Sequence, residues 1–154
     1  MRHWIVASVA AVLLSGCGSG STDFGQNFVG TWNGVFLEMV GTQSFTVSQS
    51  ISITVTGANS LTLAGVSNVA FFCSNGSGPP ATATSATEFS GGTLTCPPVA
   101  NGIGCPATND VQTTSYRGGS GTLNGTVLTI VLTGTDACSS GTSTNFTQTF
   151  TGSR

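Results

Sequence analysis

Phe45-Thr46-Val47-Ser48-Gln49-Ser50-Ile51-Ser52-Ile53-Thr54-Val55-Thr56 decides the fold class. Phe45, Val47, Ile51, Ile53 and Val55 fall on one face of an extended chain. Thr46, Ser48, Ser50, Ser52, Thr54 and Thr56 fall on the other. Alternation with period two is the mark of a half-buried strand. β-branched side chains also favour strands over helices. Leu128, Ile130 and Leu132 repeat the pattern against Thr129, Val131 and Thr133. No helical stripe follows the first sixteen residues.

Turn residues punctuate the alternation. Gly41–Val47, Gly57–Leu63, Ser90–Cys96 and Asn124–Ile130 each run from turn residues into an apolar-Thr-apolar start. The rhythm fits either a repeated hairpin unit or the common look of threonine-rich hairpins. Asn124-Gly125 and Gly91-Gly92 are hairpin signals, because their residues accept positive φ. The pattern predicts an all-β antiparallel meander with strands at 30–40, 45–56, 61–73, 80–89, 93–97, 110–123, 127–135 and 145–152. About eight such strands suit an up-and-down barrel, closed or flattened, which removes exposed edges. A β-sandwich is the alternative.

The N-terminus has a different character. Arg2 and His3 precede an uncharged apolar run, Trp4 to Leu14. As a helix that run would span about 16 Å, roughly half of a bilayer core. It is too short to cross and suits a secretory signal. Leu14-Ser15-Gly16-Cys17 then resembles the lipobox of bacterial lipoproteins. The resemblance implies cleavage before Cys17, a diacylglycerol on its thiol and an acylated amino terminus. Two or more acyl chains anchor a protein firmly. Gly18, rather than Asp, after the cysteine resembles cargo sent to an outer membrane. The organisation expected is a signal peptide at 1–16, a lipidated flexible tether at 17–27 and a barrel domain at 28–154, held in the bacterial cell envelope.

Composition narrows the chemistry. Charged residues make up 5% of the chain, against roughly 25% in ordinary soluble proteins. After Cys17 there is no lysine or histidine. Asp23, Glu38, Glu88, Asp110 and Asp136 face only Arg117 and Arg154, a net of −3. Without a basic patch, nucleic acid is not an expected partner. Without histidine or lysine there is no Ser-His-Asp machine, P-loop or Schiff base. Glu38 and Glu88 are the remaining carboxylate pair for acid–base work, and otherwise read as solvent-facing strand residues. No enzyme activity, cofactor or metal is expected. The partner left standing is the membrane, through Cys17, with a small apolar ligand as a further possibility and no protein partner specified.

Cys73, Cys96, Cys105 and Cys138 make an even set in an exported chain, which points to two disulfides. The expected strand directions put Cys73, Cys105 and Cys138 near one barrel end and Cys96 near the other. Counted from a turn at Ser90–Thr93, Cys73 and Cys96 would lie roughly 23 Å apart along the strands. A disulfide needs about 6 Å between Cα atoms. The expected pairs are therefore Cys96–Cys105 and Cys73–Cys138.

Gly30-Thr31-Trp32 opens the first strand. It resembles the Gly-x-Trp of lipocalin-like proteins, whose tryptophan packs across the closed barrel end. The late arginine usual in that family has no clear position here, though Arg117 lies on a late predicted strand. The C-terminal helix of lipocalins has no counterpart here, since the chain ends at Thr151-Gly-Ser-Arg154. Arg117, beside Tyr116, has a fork suited to a ligand carboxylate, and otherwise closes a barrel end by hydrogen bonds to carbonyls. Trp32 and Arg117 are the ligand-site candidates. The sequence thus reads as a non-catalytic envelope lipoprotein with a surface or interaction role, or alternatively as a lipocalin-like binder of a small apolar or amphipathic molecule. An internal cavity would separate the two, because inward-facing phenylalanines either line a barrel or fill it.

Overall fold

A computed structural model describes residues 23–67, 72–102, 105 and 109–154. The signal segment, Cys17 and the tether through residue 22 lie outside the described residues. The strands are β1 (Gly30–Val40), β2 (Gln43–Gly57), β3 (Ser60–Ser67), β4 (Ser77–Ala83), β5 (Glu88–Gly91), β6 (Leu94–Thr95), β7 (Val99–Ala100), β8 (Val111–Asn124), β9 (Val127–Cys138) and β10 (Ser143–Ser153). All pairings among them are antiparallel. β1 pairs with β10, and β5 pairs with both β4 and β8, so the sheet closes on itself. The result is an eight-stranded barrel, with β6 and β7 as short additions along β8. Closure excludes the sandwich.

The predicted alternation is what fills the interior. Leu128, Ile130 and Leu132 are buried, whereas Thr129, Val131 and Thr133 are not. Ile51 and Ile53 sit in the same core, with Trp32, Phe36, Leu61, Leu63 and Phe150. Each such side chain, fully buried, contributes roughly 1.5–3 kcal/mol. The Asn124-Gly125 hairpin forms as expected, with Gly125 at φ 60°. On β8 the inward phase changes once. Tyr116 pairs with Gly134 and Gly118 with Thr133, so Arg117 is an extra residue. Even positions face inward before it and odd positions after it.

Two predicted segments differ from the structure. Of the expected strand 61–73, β3 covers the part through Ser67, residues 68–71 lie outside the described residues, and Phe72 and Cys73 are not in a strand; the expected strand 80–89 is split by a turn. Hydroxyl residues make that turn: Thr84 N–H and Ser85 N–H donate to the Glu88 carbonyl (2.9 and 3.1 Å), and Thr87 N–H donates to Ser85 Oγ (3.2 Å). Gly91-Gly92 is consequently not a hairpin. Gly91 packs so near the Gly119 backbone that a Cβ would lie 3.2 Å from its nitrogen. Gly92 N–H donates to Pro80 O, and the chain runs on into β6.

This change of direction also overturns the expected disulfides. Cys96 follows β6 at the same barrel end where the chain enters β4. Cys73 therefore bonds to Cys96, with Cα atoms 5.1 Å apart. Cys105 bonds to Cys138, at 5.6 Å, because Cys138 ends β9 opposite Gln112 at the start of β8. All four cysteines stand at one rim.

The other end is shut. Gly25–Asn27 form a 3-10 turn, and Phe28 is buried. Phe24 N–H donates to Asn59 Oδ1 (2.6 Å), and Asn27 Nδ2 to Ala86 O (3.1 Å). The packed domain thus begins before Phe28, and residues expected to continue the tether form a plug. Trp32 lies beneath it and donates from Nε1 to Phe28 O (2.9 Å). Arg154 lies 4.7 Å over the Trp32 ring and donates from Nη1 to Val29 O (2.7 Å). The closing role expected of Arg117 belongs to Arg154.

Candidate functional site

The open end holds a cavity of about 840 Å³. Its position follows from the inward register. Glu38 on β1 pairs with Gln148 on β10, one inward position beyond Phe36 and Phe150. Thr114 on β8 pairs with Asp136 on β9, and Tyr116 with Gly134. Barrel closure brings these residues from four strands to one space. Phe45, Val47, Phe72 and the Cys73–Cys96 bridge supply apolar wall.

The polar groups are linked in part. Gln148 Nε2 donates to Glu38 Oε1 (3.2 Å). Tyr116 shares a hydrogen bond with the Gln148 side chain. Thr114 Oγ1 donates to Asp136 Oδ1 (2.6 Å), and Gln112 Nε2 donates to Thr114 Oγ1 (3.2 Å). Gln148 is 3% exposed, yet its Oε1 has no hydrogen-bond partner among the described residues. Both amide atoms of buried Gln49 are likewise unpartnered there. Unsatisfied buried polar atoms cost about 1–3 kcal/mol each, so an orphaned acceptor beside a cavity marks a place where a donor would be welcome.

Burial raises the Glu38 carboxyl above the usual glutamate range. The Gln148 hydrogen bond opposes that shift, and the Asp136 carboxylate adds to it. Burial likewise pushes the Tyr116 hydroxyl well upward, with Gln148 opposing and both carboxylates reinforcing. The tyrosine is therefore a neutral hydrogen-bonding group at any physiological pH.

The sequence candidates fall elsewhere. Trp32 is 0% exposed in the closed-end core, away from the cavity. Arg117 is exposed at the register shift of β8 and does not line the cavity. Glu88 is exposed beside the closed-end turn and does not meet Glu38. Cys105, Asp110 and Cys138 cluster closely, but the two sulfurs are bonded to each other. Asp110 accepts from Ser139 Oγ (2.9 Å), Ser140 N (3.0 Å) and Ser140 Oγ (2.7 Å), which makes it a brace for the rim loop. The signal for the cavity was a polar residue in phase with apolar ones. Phe36-x-Glu38-x-Val40, Leu132-x-Gly134-x-Asp136 and Phe146-x-Gln148-x-Phe150 each carry it.

No protein-family model matches the chain, and no curated protein does. Among solved structures it is similar to a Bacteroides fragilis protein described as a "putative outer membrane protein", at 17% identity and a TM-score of 0.47. That alignment covers 86% of this chain and 53% of the other, so the chain spans about half the length of that structure. It is also similar to a redesigned β-barrel, at 13% identity and a TM-score of 0.40, covering 86% of this chain and 95% of that one.

Proposed function

We propose that this chain is a lipid-anchored binding protein of the bacterial cell envelope, holding a small amphipathic molecule in the open end of its barrel and carrying out no chemistry on it. The observation that carries this reading is the cavity. Its volume, about 840 Å³, falls within the roughly 300–1,000 Å³ of small-molecule sites. Apolar wall and a few convergent polar groups are the usual composition of such sites. A purely structural role has less support. Val35, Leu37 and Met39 make an apolar stripe on the outer face of β1, but it is one strand wide, flanked by Ser44, Thr46 and Ser48 on β2 and by Thr147, Thr149 and Thr151 on β10, and interaction sites are marked by larger contiguous patches.

The anchor rests on the resemblance of Leu14-Ser15-Gly16-Cys17 to a lipobox. The segment leading from Cys17 joins the barrel at its closed end, so the mouth would open away from the membrane surface. Absence of histidine and lysine beyond Cys17 supports a holder rather than an enzyme.

Residues 23–154 contain the closed barrel, its core and both disulfides, so the chain from Gly18 onward can be studied alone. Native mass spectrometry of that chain, exported to an oxidising compartment and kept from detergent, tests the binding reading. The expected result is an adduct of a few hundred daltons that leaves on denaturation. A bare mass, together with no binding from a panel of amphiphiles, would overturn it. Labelling the full chain with a radioactive fatty acid, with and without Cys17→Ser, tests the anchor separately.

A further inference from the structure

The cavity is lopsided in charge. Glu38 and Asp136 both line it. The cations among the described residues are Arg117 and Arg154. Arg154 is engaged with Trp32 at the closed end, and Arg117 does not line the cavity. Two carboxylates and the orphaned Gln148 Oε1 therefore face one space with no positive group to answer them. Taking a carboxylate out of water is unfavourable unless it is paired and hydrogen-bonded. Gln148 reaches one oxygen of Glu38, and Thr114 reaches one oxygen of Asp136.

We propose that the cavity selects amphiphiles with a primary ammonium head, seated among Glu38, Asp136 and Gln148 Oε1, with the apolar body against Phe45, Val47 and Phe72. An ammonium group offers three donors and no acceptor; Gln148 Oε1 lacks a donor, and each carboxylate, which accepts one side-chain hydrogen bond, can accept more. A carboxylate head would meet two like charges, and a hydroxyl brings one donor and no charge. The inference rests on the binding reading above and adds the chemistry of the ligand. Glu38 is faced by Asp136, Gln148 and Tyr116 among the described residues, and Tyr116 stays neutral. Binding of the ammonium head should therefore weaken as pH falls and Glu38 takes up its proton.

Titration calorimetry of the exported chain from Gly18 onward, with octylamine, 1-octanol and octanoate at neutral pH and low salt, is the test. Octylamine is expected to bind at least tenfold more tightly than 1-octanol, with octanoate the weakest. Glu38→Gln should reduce octylamine affinity at least fivefold and shrink its preference over 1-octanol, and circular dichroism of the variant checks that it is folded. Equal affinity for octylamine and 1-octanol, or an unchanged preference in Glu38→Gln, would overturn the ammonium assignment while the binding reading survives. Failure of all three to bind would overturn both.

Discussion

The two halves of the barrel are built from the same alternating strands and end up opposite in character. At the closed end Phe28 meets Phe89 edge to face, with ring centroids 5.2 Å apart. Trp32, Ile53, Leu61 and Leu128 complete a dry interior. At the open end the inward positions carry Glu38, Gln148, Asp136 and Thr114, and a cavity remains. The difference lies in which side chains share the inward phase. Gly121 shows how the closed half is filled: the Phe89 ring occupies the space that a Cβ at Gly121 would need. Glycine and phenylalanine there act as a matched pair, one giving up the volume that the other takes.

Substitutions should separate the halves by size of effect. Trp32→Ala is expected to cost about 3–5 kcal/mol, the usual range for losing a large aromatic from a core. Urea unfolding would measure it, and a loss under about 1 kcal/mol would mean that the closed half is not the seat of stability. Replacing Cys73 and Cys96 together by serine should cost about 2–4 kcal/mol and loosen the wall of the cavity, so stability and octylamine affinity should fall together. Gly121→Val should cost about 1–3 kcal/mol by overpacking against Phe89, with ligand affinity preserved.

The arginines sharpen the contrast further. Arg154→Ala should lose about 0.5–1 kcal/mol, as expected for an exposed cation over an aromatic ring. Arg117→Ala should stay within about 0.5 kcal/mol of the parent. Equal losses would contradict the assignment of the closing contact to Arg154. The smallest effect is a pH dependence. The folded chain holds the Glu38 proton more tightly than the unfolded chain does. This contribution favours folding at acidic pH and is lost as pH rises from the ordinary glutamate range through the raised value. Glu38→Gln should flatten that slope in unfolding curves recorded across the window.

Much of the barrel was legible because period two survives translation into structure. The predicted strand 30–40 and the Asn124-Gly125 hairpin stand as read. What failed was punctuation. Thr84 to Thr87 turn by hydroxyl hydrogen bonds, which a search for glycine and proline passes over. Gly91-Gly92 has the composition of a hairpin but permits a close approach between backbones. That single displacement reversed the inferred position of Cys96 and carried the disulfide pairing with it. The site was harder to read, because Glu38, Tyr116, Asp136 and Gln148 become neighbours only when β1 meets β10. A polar residue at an inward position was visible in each strand separately. Their convergence is a property of closure.

Arg117 has a consequence for how this chain tolerates change. Its backbone is one residue more than β9 can pair, a bulge after which the ladder resumes in phase. Removing that one residue would join Tyr116 directly to Gly118, and Gly119 and Gly121 would still face inward opposite Leu132 and Ile130. Removing a neighbour instead, such as Ser120, would turn the inward side chains beyond it outward. A deletion scan along β8 should therefore find position 117 more forgiving than its neighbours, and side-chain replacements there should pass unnoticed. Along the rest of the strand the number of residues carries as much information as their identity.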